Sequence, residues 1–92
     1  MDIVMLTKLK RLPTKSENDR AAKIVDEARK KGVKIETFRT YGQYDIVSVV
    51  KGSDSEEDYL RYLYTVKAWA DVQTLHIIDD KLGDKMTKKF VK

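Results

Sequence analysis

The apolar positions of this chain fall into runs whose spacing switches between that of strands and that of helices. Ile3, Val4, Met5 and Leu6 are consecutive, with no helical stripe, and predict a strand over residues 2–9. Beyond Pro13 and a polar stretch at 14–18, Ala21, Ala22, Val25 and Ala28 recur at spacings of three and four, with Ile24 beside them. That is the buried stripe of a helix. Ser16 is placed to cap it, Glu17 and Asp19 suit its positive end, Arg29, Lys30 and Lys31 suit its negative end, and Gly32 stops it. Residues 33–41 alternate as a second strand. Gly42-Gln43 predicts a two-residue hairpin turn with glycine in its first central position, and 44–51 is the returning strand. After a loop at 52–55 with helix-capping residues, Tyr59, Tyr62, Leu63, Val66 and Trp69 or Ala70 line one face of a second helix, with Leu60 at its edge. Residues 71–79 read as a fourth strand.

The order βαββαβ with a central hairpin predicts an α+β domain of ferredoxin-like topology over residues 1–80: a four-stranded antiparallel sheet of order 4-1-3-2 with two helices on one face. Residues 81–92 follow as a tail, with Leu82, Met86 and Phe90 spaced four apart. A short helix, an edge strand and a loose segment all fit it.

Two helices cover one face of such a sheet, so half-buried strands should alternate apolar and polar residues. The central strands do not. Ile3 to Leu6 is unbroken, and Ile46, Val47, Val49 and Val50 surround a lone Ser48. Both sheet faces are therefore apolar, and the economical cover for the second is another copy of the chain. A homodimer packed sheet to sheet is expected, a dimeric α+β barrel, with room for higher assembly. A two-residue turn pairs Tyr41 with Tyr44, Arg39 with Ile46, Thr37 with Ser48 and Ile35 with Val50. All eight then share one face, assigned to the interface or a cleft, while the drier face of Phe38, Val47 and Val49 is assigned to the helices.

Composition narrows the chemistry. The 92 residues contain no cysteine, which removes disulfides, thiolate metal sites and cysteine nucleophiles and points to a reducing cytoplasm. No run approaches the length of a membrane span. Charged residues make up 37% of the chain, above the ~25% of an average domain, which points toward a heat-adapted source. The net charge of +4 lies wholly in the tail, where five lysines (Lys81, Lys85, Lys88, Lys89, Lys92) face one acid, Asp84. Residues 1–80 balance 14 basic against 14 acidic groups. The charge is thus a solvated tail before it is a nucleic-acid footprint.

At the hairpin, Thr40-Tyr41-Gly42-Gln43-Tyr44-Asp45-Ile46-Val47 resembles the T-x-G-x-Y-D signature of the GYD-domain family. Residues 21–32, 34–38 and 72–78 resemble that family's first helix, the strand before its motif and its final strand. The resemblance implies a dimeric α+β-barrel arrangement and no defined activity. Val50-Lys51-Gly52-Ser53-Asp54 departs from the family's usual apolar-acidic-apolar-Pro-Asp run. Residues 42–78 are also similar to the effector-binding domain of Lrp/AsnC-type regulators, which implies small-molecule binding between subunits. This chain lacks the helix-turn-helix part of those regulators.

Four hairpin residues are the candidate ligand contacts. Arg39 can clamp a carboxylate with two parallel hydrogen bonds, or pair with an acid of a partner chain. Tyr41 stands beside it. Tyr44 and Asp45 carry the motif, and Asp45 alternatively accepts backbone N–H groups across the hairpin. His76, the only histidine, is the one candidate for general-base or haem chemistry, although a lone strand histidine with no partner at a telling spacing is first a structural residue. Asp79-Asp80 ends the strand and makes a poor cation site. No cofactor and no metal is implied. Tyr59, Tyr62 and Trp69 are packing residues by their spacing before they are base-stacking ones. The leading expectation is a homodimeric small-ligand-binding or regulatory module, not an enzyme, that holds a small, anionic ligand near the hairpin and the subunit interface. A His76-dependent oxygenase or isomerase and a tail-dependent nucleic-acid accessory protein are the alternatives.

Overall fold

The computed structural model describes residues 2–52, 56–78 and 80–90. Among them run β1 (Ile3–Leu9), α1 (Lys15–Lys30), β2 (Lys34–Arg39), β3 (Ile46–Lys51), α2 (Glu56–Val66), β4 (Ala70–His76) and α3 (Asp80–Phe90). The strands form one antiparallel sheet of order β2-β3-β1-β4, which counted from the β4 edge is 4-1-3-2. The architecture is α+β and compatible with a ferredoxin-like fold, with α3 added. Most of the loop expected at 52–55, the strand end at Asp79 and the last tail residues, 91–92, lie outside the described residues.

Local chemistry explains the element ends. Thr14, not Ser16, caps α1, because Thr14 and Glu17 have the spacing of a reciprocal capping box. The Thr14 hydroxyl accepts from the Glu17 N–H at 3.2 Å, and the Thr14 N–H donates to the Glu17 carboxylate at 2.9 Å. Arg11 closes on the same carboxylate with both guanidinium arms, at 2.8 and 2.9 Å. At the other end Gly32 takes φ +93°, and Val33 N–H reaches back to the Ala28 carbonyl at 3.2 Å. This is the left-handed close that only glycine adopts without strain. The tail forms α3, whose backbone lies apart from the other helices and strands among the described residues. Its Leu82 and Met86 remain about half exposed.

The hairpin register is the expected one: Arg39 pairs Ile46, Thr37 pairs Ser48 and Ile35 pairs Val50. The turn is longer than two residues. Pairing ends in a Thr40 N–H to Asp45 carbonyl bond of 3.0 Å, and residues 41–44 form the loop. The face assignment is reversed. Ile3, Met5 and Thr7 of β1 are buried, and the register Ile3–Val50, Met5–Ser48 and Thr7–Ile46 carries the even-numbered residues of β3 to that same side. Val50 and Ile35 pack there against Tyr59 and Tyr62 of α2. The helices thus cover the face of Ile35, Thr37, Arg39, Ile46, Ser48 and Val50. The other face carries Val4, Leu6, Val47 and Val49, half-buried, with Phe38 and Leu75 flanking them at 51% and 46% exposure.

Polar residues tolerate the helix side because they find hydroxyl partners there. The Tyr59 hydroxyl bonds the Thr74 hydroxyl, and Thr37 Oγ1 lies 3.3 Å from Ser48 Oγ. A pairing of this kind removes most of the penalty of burying a hydroxyl.

Candidate functional site

Between α1 and the β2–β3–β1 part of the sheet lies a cleft of about 720 Å³. It opens where β1 passes into α1 and β2 into β3. Leu12 and Pro13 form one lip, and Arg39, Thr40 and Asp45 form the other. The first two turns of α1 contribute Lys15 and Asn18. The sheet floor contributes Thr37 and Ser48, and Trp69 and Tyr62 line the wall on the α2 side. The size lies within the range of small-molecule sites, and the lining of apolar residues with a few polar groups is typical of them.

Rigid supports hold both lips. The Arg11–Glu17 fork anchors the β1–α1 connection, and Arg11, then the Thr14 N–H, hold the Glu17 carboxyl down at about 2. Glu17 in turn raises the Arg11 guanidinium. Asp45 fixes the hairpin to β1 twice: its N–H donates to the Thr7 carbonyl at 2.8 Å, and its carboxylate accepts the Leu9 N–H at 2.7 Å. Asp45 therefore joins the hairpin to the neighbouring strand as well as closing the loop. Burial pushes the Tyr62 hydroxyl up, so it stays a neutral donor and acceptor beside the cleft.

Trp69 is the least expected member. It is 5% exposed and part of the core with Ala21, Val66 and Ala70. Its backbone is fully engaged, N–H to Val66 at 3.0 Å and carbonyl to Lys10 at 2.9 Å. Its buried indole N–H finds no acceptor among the described residues. A buried donor left unpaired is rare and costs free energy, so it calls for an explanation.

The four hairpin candidates separate. Arg39 and Asp45 line the cleft. Tyr41 is fully exposed at the loop tip. The Tyr44 hydroxyl donates to Gln73 Oε1 at 2.5 Å, and Gln73 pairs with Leu6 on the open sheet face. Arg39, Tyr41 and Tyr44 thus share no common site. His76 pairs with Ile3 and is exposed. It lies four residues from Val72 along β4, about 13 Å, at the sheet end opposite the cleft mouth. Among the described residues no cluster of three or more metal-ligating side chains forms, and Asp79 lies outside those residues. The sequence reading puts Thr37 and Ser48 on one face with Arg39, assigned to an interface or a cleft, without naming either as a ligand contact, and it does not bring Lys15 or Trp69 to that site. The available signal was Ser48, a lone hydroxyl in the middle of an apolar central strand.

Comparison with known protein families and with curated proteins finds no match.

Proposed function

We propose that this chain is a GYD-like, homodimeric small-ligand-binding or regulatory module of the dimeric α+β-barrel kind, working in the cytoplasm. The open sheet faces of two copies pack together, and each copy keeps its own cleft beneath α1. The observation that carries this reading is the apolar band left on the outward face of the sheet. Hydroxyls and a cation lie on the helix-side face beside a cleft, while the outward face carries an apolar band of Val4, Leu6, Phe38, Val47, Val49 and Leu75 bordered by Lys8, Lys34, Glu36, Lys51, Asp71 and Gln73. A chain acting alone gains nothing from that band, whereas a pair buries it and leaves the cleft on the other face for a ligand. The motif supports the cleft mechanically, since Asp45 sets the position of the lip that carries Arg39.

Two substitutions test the assembly. Val47→Glu places a charge on the open face and should yield a folded monomer in sedimentation velocity, with a wild-type circular dichroism spectrum. Val50→Glu, which sends its charge under the helices, should unfold the chain. If Val47→Glu leaves the sedimentation coefficient of the wild type unchanged, the open face is not the interface.

A further inference from the structure

The sheet has two outer strands, β2 and β4, and their free edges differ. Hydrogen-bond directions fix which backbone groups lie on each edge. Ile77 N–H donates to the Asp2 carbonyl and Lys10 N–H to the Trp69 carbonyl, both at 2.9 Å. The odd-numbered residues of β4 therefore bond β1, and the N–H and carbonyl groups of Ala70, Val72, Thr74 and His76 point away from the sheet. On the other side Thr40 N–H bonds the Asp45 carbonyl, so the same alternation puts Ile35, Thr37 and Arg39 on the outer row of β2.

The β2 edge is guarded. The Arg29 guanidinium of α1 donates to the Ile35 carbonyl at 3.0 Å, and Lys34, Glu36 and Arg39 place charges along the strand. Both devices discourage the addition of another strand. The β4 edge has neither. Asp71 is the sole Asp, Glu, Lys or Arg of β4. Among the described residues no hydrogen bond reaches its outward backbone groups, and the backbone of α3 keeps clear of it. A groove of about 270 Å³ adjoins the Ala70 end of this edge, between Leu60, Leu63, Tyr64 and Lys67 of α2 and Ala70 and Val72 of β4. At the opposite end His76 and Ile78 are exposed.

Antiparallel pairing of β4 with a second copy about a twofold axis brings these two ends together. One register pairs every outward residue of the strand: Ala70 meets His76 and Val72 meets Thr74, with the axis between the two Gln73 residues. The exposed imidazole of each copy then lies beside the small Ala70 of the other, at the groove, and Ile78 continues toward α2. Edge and groove are thus self-complementary, as a contact between identical chains requires.

We propose that the β4 edge is a second self-association surface, at which two copies join their four-stranded sheets into one continuous sheet. It lies at the rim of the sheet and stands whether or not the apolar bands of two copies pack together; where they do, it links those pairs into larger assemblies. A strand pair with its flanking grooves is a small interface, so the contact is weak and exchanging.

The chain contains no cysteine, so single introduced cysteines report contacts by disulfide trapping. Across the proposed axis the two Gln73 Cα atoms lie about 4.5 Å apart, within disulfide reach, whereas sheets stacked face to face lie about 10 Å apart, beyond it. Oxidising the intact Gln73→Cys chain with copper phenanthroline should give a linked pair about tenfold or more faster than the exposed helix control Lys23→Cys. His76→Pro removes an outward N–H and spares the ladder to β1. Added to Gln73→Cys, it should bring the rate down to that of the control with a wild-type circular dichroism spectrum. Leu60→Glu, at an exposed position in the groove, should slow linkage likewise. Val47→Glu should leave the excess rate in place, because oxidation traps the transient edge contact of chains that sediment singly. Gln73→Cys linking no faster than Lys23→Cys would overturn the proposal, as would a rate untouched by both His76→Pro and Leu60→Glu. Loss of the excess on adding Val47→Glu would assign the contact to the sheet face and overturn the edge. Linkage of Gln73→Cys to a different protein in cells, in place of a second copy, would give the edge to a foreign strand and overturn self-association.

Discussion

Asp45→Ala is the substitution that separates a structural hairpin motif from an ornamental one. In the wild type the carboxylate accepts the Leu9 N–H at 2.7 Å, in a part-buried position between β1 and the hairpin. Hydrogen bonds to a charged group contribute about 1.5–3 kcal/mol, and removing the acceptor leaves a backbone donor to find water. Partial burial admits that water, which places the expected loss near the middle, about 2 kcal/mol. For a domain of this size each kcal/mol moves the melting temperature by about 4–8 °C, so Asp45→Ala should melt about 8–16 °C lower. Asp45→Asn keeps an oxygen in place without the charge and should lose about half as much. The assay is thermal unfolding by circular dichroism at neutral pH, with chemical denaturation to confirm an unchanged m-value. A melting temperature for Asp45→Ala within two or three degrees of wild type (about half a kcal/mol) would refute the reasoning. So would an asparagine variant less stable than the alanine one.

Other expectations come from single features. Glu17 titrates at about 2 in the folded chain, below its ordinary 4.5, so the unfolded chain binds that proton first. The stability it contributes is complete above the ordinary value and lost as pH falls toward about 2. Glu17→Gln should therefore melt below wild type at pH 6, with the gap closing toward the acid end of a melting series; a constant gap would contradict this. Tyr59→Phe should cost about 1 kcal/mol by stranding the Thr74 hydroxyl, and adding Thr74→Val should recover part of the loss in equilibrium unfolding. Removing residues 80–92 should leave the melting temperature within a few degrees, because the backbone of α3 lies apart from the other helices and strands among the described residues. A large drop would show that α3 has a partner surface in the assembled protein.

The sequence made the elements and the hairpin register legible because both rest on local signals. The stripe of Ala21, Val25 and Ala28, the stop at Gly32 and the turn at Gly42 each act within a few residues. The cap of α1 was misread by two positions, since Ser16 and Thr14 are equally good acceptors and Glu17 decides between them. Which sheet face meets the helices was not legible from the hairpin alone. Its drier face looked like the inner one, yet β1 brings Ile3, Met5 and Thr7 to the helix side and the register forces Ser48 to follow. Tyr59 supplies the hydroxyl that lets Thr74 sit under α2, a compensation that involves residues 15 apart in sequence. The cleft was half legible. Arg39 and Asp45 were drawn from the hairpin, while Tyr44 left for the open face once the loop lengthened. Trp69 read as core, and it is core. That its N–H lacks an acceptor depends on how the turn after α2 meets β1, which no local pattern encodes.

The central claim is that the apolar band on the outer face of the sheet is covered by a second copy of the chain. A native mass spectrum of the full chain, purified gently and sprayed at low micromolar concentration, tests it most directly. The account predicts a dominant species at twice the mass of one chain, or an even multiple of it, which Val47→Glu converts to the single-chain mass. A wild-type spectrum dominated by the single chain, unchanged as concentration rises, would contradict it.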